Sequence, residues 1–145
     1  MKNKVMLLVE DNPDDVELTR RALLESKITN ELVVVQDGVE ALTYLQEAAL
    51  GLNGRRLPTV ILLDLKLPRM DGLELLQQIR SNEKLKRLPV VVLTSSKEQE
   101  DIMRSYDLGA NSYIRKPVDF EQFNEAVRQL GLYWLLLNEA PIIPE

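Results

Sequence analysis

The 145-residue chain contains no cysteine and no histidine. Without cysteine there is no disulfide, no thiol chemistry and no thiolate metal site. Without histidine the commonest general base and transition-metal ligand are missing, and no phosphohistidine can form on this chain. Metal chemistry is left to oxygen ligands, and so to hard ions such as Mg²⁺, Mn²⁺ or Ca²⁺. A basic excess is lacking as well. The net charge is −5, which argues against a nucleic-acid backbone or an anionic membrane as partner. No apolar run approaches ~18 residues, and the opening M-K-N-K runs into a strand too soon for a signal peptide. A cytoplasmic protein with no nucleic-acid and no membrane partner is expected.

What is present is an ordinary globular balance, 45% apolar and 28% charged. A domain of this size buries roughly 68–70% of its unfolded surface, enough for one core. Continuous apolar runs occur at Val5–Val9, Leu32–Val35, Val60–Leu63 and Val90–Leu93, with a short one at Ser112–Ile114. Such runs suit parallel strands buried on both faces. Between them the helical period predicts helices over about 14–27, 38–50, 72–82, 98–108 and 119–137. Pro13 suits a first helical turn, Asp37 and Asp119 suit N-caps, and Gly109 suits a helix stop. The stretch from Gly51 to Pro58 reads as a loose loop. The pattern is (βα)₅, an α/β doubly wound parallel sheet with helices on both faces.

The ends of the apolar runs carry the chemistry. The first is followed by Glu10 and Asp11, the third by Asp64 and the fourth by Thr94, Ser95 and Ser96; the fifth leads into Lys116. In a parallel sheet these ends share one edge, where ligands gather. Three carboxylates converging there need a cation, and Mg²⁺ fits such an oxygen site, with Mn²⁺ as an alternative. Asp64 is then a candidate nucleophile toward phosphate, with Thr94 and Lys116 to receive phosphoryl oxygens. Each residue also has a plainer reading. Asp11 is equally a candidate N-cap, Asp64 a solvated strand end, Thr94 a helix start and Lys116 part of an ordinary turn. Asp14 and Asp15, beyond Pro13, read as structural acids that complement a helix dipole.

As a set, V-E-D-N, I-L-L-D-L-K-L-P-R-M-D-G, V-V-V-L-T-S-S and Y-I-R-K-P resemble the receiver domain of two-component response regulators, over residues 4 to about 130. The resemblance implies a flavodoxin-like fold with strand order 2-1-3-4-5. By position it makes Asp64 the phosphoacceptor, and Glu10 and Asp11 the Mg²⁺-binding acid pair. It makes the backbone carbonyl of Lys66 a metal ligand. Thr94 becomes the switch hydroxyl, Lys116 the site lysine and Tyr113 the aromatic that moves with Thr94. It also implies a cis Lys116–Pro117 bond. Further stretches, D-G-V-E-A-L-T-Y-L and L-G-A-N-S-Y-I among them, are similar to the small stand-alone regulators that serve bacterial phytochromes (the Rcp type). That narrower resemblance implies a bacteriophytochrome histidine kinase as phosphodonor.

The domain is expected over 1–130, with 131–145 as a helix extension and tail rather than a second domain. A DNA-binding output module would need roughly another 60 residues, so output by protein contact is expected. Phe120, Phe123, Val127, Leu130, Trp134 and Leu137 form a heptad-like stripe. Beyond Gly131 the stretch L-Y-W-L-L-L is apolar on all sides and must be buried. It either folds back on its own domain or forms a homodimer. The dimer is the preferred expectation, with Tyr133, Trp134, Leu136 and Leu137 at the contact, joined by the tail residues Ile142 and Ile143. Two other functions use the same residues. A Mg²⁺-dependent aspartyl-phosphate phosphohydrolase would want an acid two residues after the nucleophile, where Lys66 stands. An unphosphorylated interaction module would not need the full acid, alcohol and lysine set. The receiver reading makes the chain no enzyme in the ordinary sense, but one that catalyses its own phosphotransfer and dephosphorylation.

Overall fold

The computed structural model describes residues 4–28, 30–116, 119–139 and 141. The expected alternation is present: β1 (Val5–Val9), α1 (Pro13–Glu25), β2 (Glu31–Val35), α2 (Gly38–Ala49), β3 (Val60–Leu63), α3 (Gly72–Ser81), β4 (Val90–Thr94), α4 (Gln99–Asp107), β5 (Ser112–Arg115) and α5 (Phe120–Gly131). All strand pairs are parallel, in the order β2-β1-β3-β4-β5. This is the flavodoxin-like doubly wound sheet.

The strand period of two divides the core. Leu7, Val9, Ile61, Leu63, Val90 and Val92 belong to the cluster that holds Leu45 of α2 and Leu76 and Ile79 of α3. Met6, Leu8, Val60, Leu62, Val91 and Leu93 belong to the other, with Leu23 of α1 and Phe123 and Val127 of α5. A continuous apolar run is thus two half-strands serving two cores. The expectation of burial on both faces fails at the edges: β2 and β5 are largely half-buried. Each has one strand neighbour, and the helices cover them incompletely.

Local signals hold at most helix ends. The Asp37 side chain accepts from the Glu40 N–H, and that of Asp119 from Glu121 and Gln122. Pro13 opens α1, and Gly109 follows α4 with φ +97°. The loop from Gly51 includes a short 3₁₀ turn, Leu52–Gly54. Among the described residues no helix is long and apolar enough to cross a membrane.

The expected single helix over 119–137 is corrected. The α-helix ends at Gly131, and Leu132–Leu137 is π-helical, with the Asn138 N–H donating to the Tyr133 carbonyl at 2.7 Å. The wider π turn breaks the 3–4 spacing. Trp134 and its neighbour Leu135 both enter the α1/α5 core, whereas Leu137, the last residue of the stripe, is 72% exposed. Trp134 was expected at a dimer contact, but its own domain covers it; Tyr133, Leu136 and Leu137 stay exposed. The Lys4 ammonium donates to the Leu135 carbonyl at 2.7 Å and ties the segment to the start of β1. Ile142 and Ile143 lie outside the described residues.

One core residue runs against its surroundings. Ser105 of α4 is fully buried, and its hydroxyl has no hydrogen-bond partner among the described residues. A buried unsatisfied hydroxyl costs ~1–3 kcal/mol, and alanine is the better helix former. Ser105→Ala is therefore expected to stabilise the fold by about 1 kcal/mol. Urea denaturation checks it: the midpoint should rise with an unchanged slope, and a lower midpoint would mean that the hydroxyl has a partner after all.

Candidate functional site

The sheet ladder continues past the strand ends and fixes the residues that follow. The Glu10 N–H donates to the Val35 carbonyl at 3.0 Å, and the Asp64 N–H to the Val9 carbonyl at 3.1 Å. The Lys116 N–H donates to the Thr94 carbonyl at 2.7 Å. Register alone therefore brings Glu10, Asp64, Thr94 and Lys116 to one edge. Glu10, Asp11 and Asp64 each bring a carboxylate oxygen within 4.8 Å of the others.

Glu10 and Asp64 are buried and Asp11 is exposed. The Lys116 ammonium lies between the buried acids. It is 2.6 Å from Glu10 Oε1, 2.7 Å from Asp15 Oδ2 and 3.6 Å from Asp64 Oδ2. Burial pushes Glu10 up to about 7, against the lowering by Lys116. Burial lowers Lys116 in turn, but its hydrogen bonds with Asp15 and Glu10 outweigh this and hold it above its ordinary value. Ionised Glu10 is thus held at a cost that a further cation would offset. An all-oxygen set of three acids, two of them buried and one facing water, fits a hard divalent ion that keeps some of its waters.

Thr94 is fully buried at the end of β4, and its Oγ1 accepts from the Ser96 N–H at 3.4 Å. Tyr113 of β5 is half-buried, and its hydroxyl donates to the Ser96 carbonyl at 2.9 Å. The two expected switch residues therefore meet on one loop residue. Lys66 follows in the β3–α3 loop, where its N–H donates to Asp64 Oδ1 at 3.4 Å. Its ammonium is largely exposed, 4.0 Å from Asp101. A cleft of about 520 Å³ opens here, with Asp11, Lys66, Asp71, Asp101 and Arg104 among its lining. The expected cis bond involves Pro117, outside the described residues.

The cap of α1 settles one alternative. Asn12, not Asp11, is the N-cap; its side chain accepts from the N–H groups of Asp14 and Asp15. Asp11 is therefore free of a capping role. Asp14 and Asp15 do stand in the first helical turn, as expected, but Asp15 is more than a dipole acid because it grips Lys116. The spacing of the acid cluster held no sign of that, since the partner lies 101 residues away. Ser96, whose hydroxyl donates to Asp101 at 2.7 Å, was also missed as a tie between the β4–α4 loop and α4.

Gly72 closes the site from below. A Cβ on this first residue of α3 would stand 2.4 Å from the Asp64 carbonyl oxygen and 2.7 Å from the Leu65 Cα. Only glycine lets α3 start so close to the acid.

The model of the response regulator receiver domain matches residues 6–128. The response regulator Rcp1 of Synechocystis sp. is 42% identical over 132 residues, which span 91% of this chain and 89% of that one. The protein FilR2 of Methanothrix harundinacea is also 42% identical, over 94% of this chain and 87% of its own. Among solved structures, the phosphorylated cyanobacterial phytochrome response regulator RcpA superposes with a TM-score of 0.88 at 43% identity, covering 97% of this chain and 99% of that one. The Mn²⁺-bound form of Rcp1 superposes with a TM-score of 0.87 at 39% identity, covering 96% and 99%. With this fold, this strand-end constellation and these matches, the chain belongs to the response regulator receiver domain family.

Proposed function

We propose that the chain is a phosphorylation switch in which Asp64 takes a phosphoryl group from a histidine kinase. The observation that carries this reading is the convergence of Asp64, Lys116 and two further acids on one sheet edge. Glu10, Asp11, Asp64 and the backbone carbonyl of Lys66 would hold a divalent ion. When bound, such an ion offsets the repulsion between the acids and phosphate and polarises the phosphoryl oxygens. An Asp64 oxygen attacks phosphorus and the P–N bond of the donor phosphohistidine breaks. The electron pair stays on the imidazole nitrogen, and an acyl phosphate forms on Asp64. Lys116 neutralises one phosphoryl oxygen as a point charge. Thr94 donates its hydroxyl to another, and Tyr113 follows through the shared Ser96. In dephosphorylation, water attacks phosphorus and the carboxylate of Asp64 leaves.

The donor fits a cytoplasmic phytochrome-type kinase, a reading that rests on the relatives Rcp1 and RcpA. Output is by protein contact. Residues 131–145 extend the domain, and Tyr133, Leu136 and Leu137 offer the exposed apolar surface for a homodimer, with Trp134 supporting it from beneath. Lys66, two residues beyond Asp64, stands against a small-molecule phosphohydrolase.

Incubation with Mg²⁺ and a small phosphodonor tests the central step. An acid-stable, base-labile adduct is expected on the wild type and none on Asp64→Asn. An unlabelled wild type would sink the proposal, while rapid turnover of many phosphate esters would favour the hydrolase. Labelled phytochrome-type kinase should pass its phosphoryl group to the chain faster than unrelated kinases do.

A further inference from the structure

We propose that Asp15 is a positioning residue that acts through Lys116, fixing the ammonium over Asp64. The inference rests on the reading of Asp64 as phosphoacceptor.

A lysine ammonium sits on a flexible four-carbon stem and has three donor directions. Here two of them are taken by acids from different elements: Glu10 Oε1, just past β1, and Asp15 Oδ2, in the first turn of α1. Both bonds are short and charge-assisted. With its stem and two anchors fixed, the ammonium comes to within 3.6 Å of Asp64 Oδ2. One anchor alone would leave it free to swing about a single bond.

The two anchors are not equivalent. Glu10 belongs to the three-acid set that fits a divalent ion, and Asp15 does not. Whatever shares the Glu10 oxygens, Asp15 remains an anchor for Lys116 alone. Its backbone is well held for that role. Its N–H donates to the Asn12 side chain at 3.3 Å, and its carbonyl accepts from the Thr19 hydroxyl at 2.8 Å. The Asn12 cap thus sets the Asp15 carboxylate, and the carboxylate sets the lysine. Holding a reacting partner in place in this way lowers the barrier without touching the reacting atoms.

The test uses Asp15→Asn, which keeps the shape and one acceptor oxygen but removes the charge. At saturating Mg²⁺, the initial rate of labelling by a small phosphodonor should fall about tenfold, equivalent to ~1.4 kcal/mol. The same substitution on a Lys116→Met background should change nothing further, because the two act as one unit. Asp15→Glu should recover part of the rate. A change under about twofold in the wild-type background, or an equal fall without Lys116, would overturn the inference. A second readout does not depend on phosphorylation. The Lys116 ammonium protons, followed by nitrogen-resolved NMR, should exchange slowly in the wild type and clearly faster in Asp15→Asn. If the wild type is never labelled, the phosphoacceptor reading fails, and this exchange rate still decides for or against Asp15.

Discussion

Alanine at position 72 is expected to cost about 3 kcal/mol of stability, the upper end for overpacking, and to suppress labelling of Asp64. The clash falls on backbone, the Asp64 carbonyl oxygen and the Leu65 Cα, so no side chain can swing aside to relieve it. The Gly72 N–H also donates to the Leu65 carbonyl at 2.9 Å. That bond holds the start of α3 against the end of β3. A methyl group must either push α3 away, which loosens Leu73, Leu75 and Leu76 in the core, or displace the backbone of Asp64 itself. Urea denaturation and phosphodonor labelling read the two effects separately. A variant within about 0.5 kcal/mol of the wild type, a typical surface effect, and normally labelled would show that the approach is not needed.

Lys116→Met should act in two opposed ways. Without a divalent ion it should destabilise the fold by about 3 kcal/mol, because removing one member of a buried ion pair strands the other. Glu10 would be left buried without its cation, beside Asp64 and Asp15. With Mg²⁺ the loss should shrink, and the ion should bind more tightly than to the wild type, since a positive charge that shares Glu10 has gone. Bound ligand stabilises by RT ln(1 + [L]/Kd), so the Mg²⁺-induced rise in Tm should exceed that of the wild type. The two proteins belong at one fixed pH, because without Lys116 the Glu10 carboxyl rises further above the value of about 7 that it has beside the lysine. Weaker Mg²⁺ binding in the variant would mean that Lys116 organises the acids rather than competing for them.

Most of this architecture was legible in the sequence because it depends on local rules. The apolar runs placed all five strands to within a residue; the three central ones are buried on both faces, which leaves little choice of composition. Asp37 and Asp119 announced their helices because a cap is satisfied within three residues. The site acids were legible through topology, as the ends of parallel strands must share an edge. What escaped depends on partners far along the chain. Asp15 looked like a dipole acid because Lys116 is met only after folding. Gly72 lay unexplained in M-D-G, since its need comes from the carbonyl of Asp64 and not from its own conformation. The π turn after Gly131 escaped because the choice between α and π there is made by packing, which draws both Trp134 and Leu135 inward.

That turn also defines a distance. Its segment is tied by Lys4 to the beginning of β1, while the acids stand at the other end of the same strand. The α5 helix bridges the two ends, 12 residues or ~18 Å. Tyr133, Leu136 and Leu137 carry no charge, so a change of charge at Asp64 finds no charged group among them to act on. On the reading of Asp64 as phosphoacceptor, what crosses that span is displacement. A rigid rod of this length carries a tilt of ~5° to its far end as a shift of ~1.6 Å. On the proposed reading, the exposed apolar patch sits on a lever arm and is reached by mechanics rather than by field.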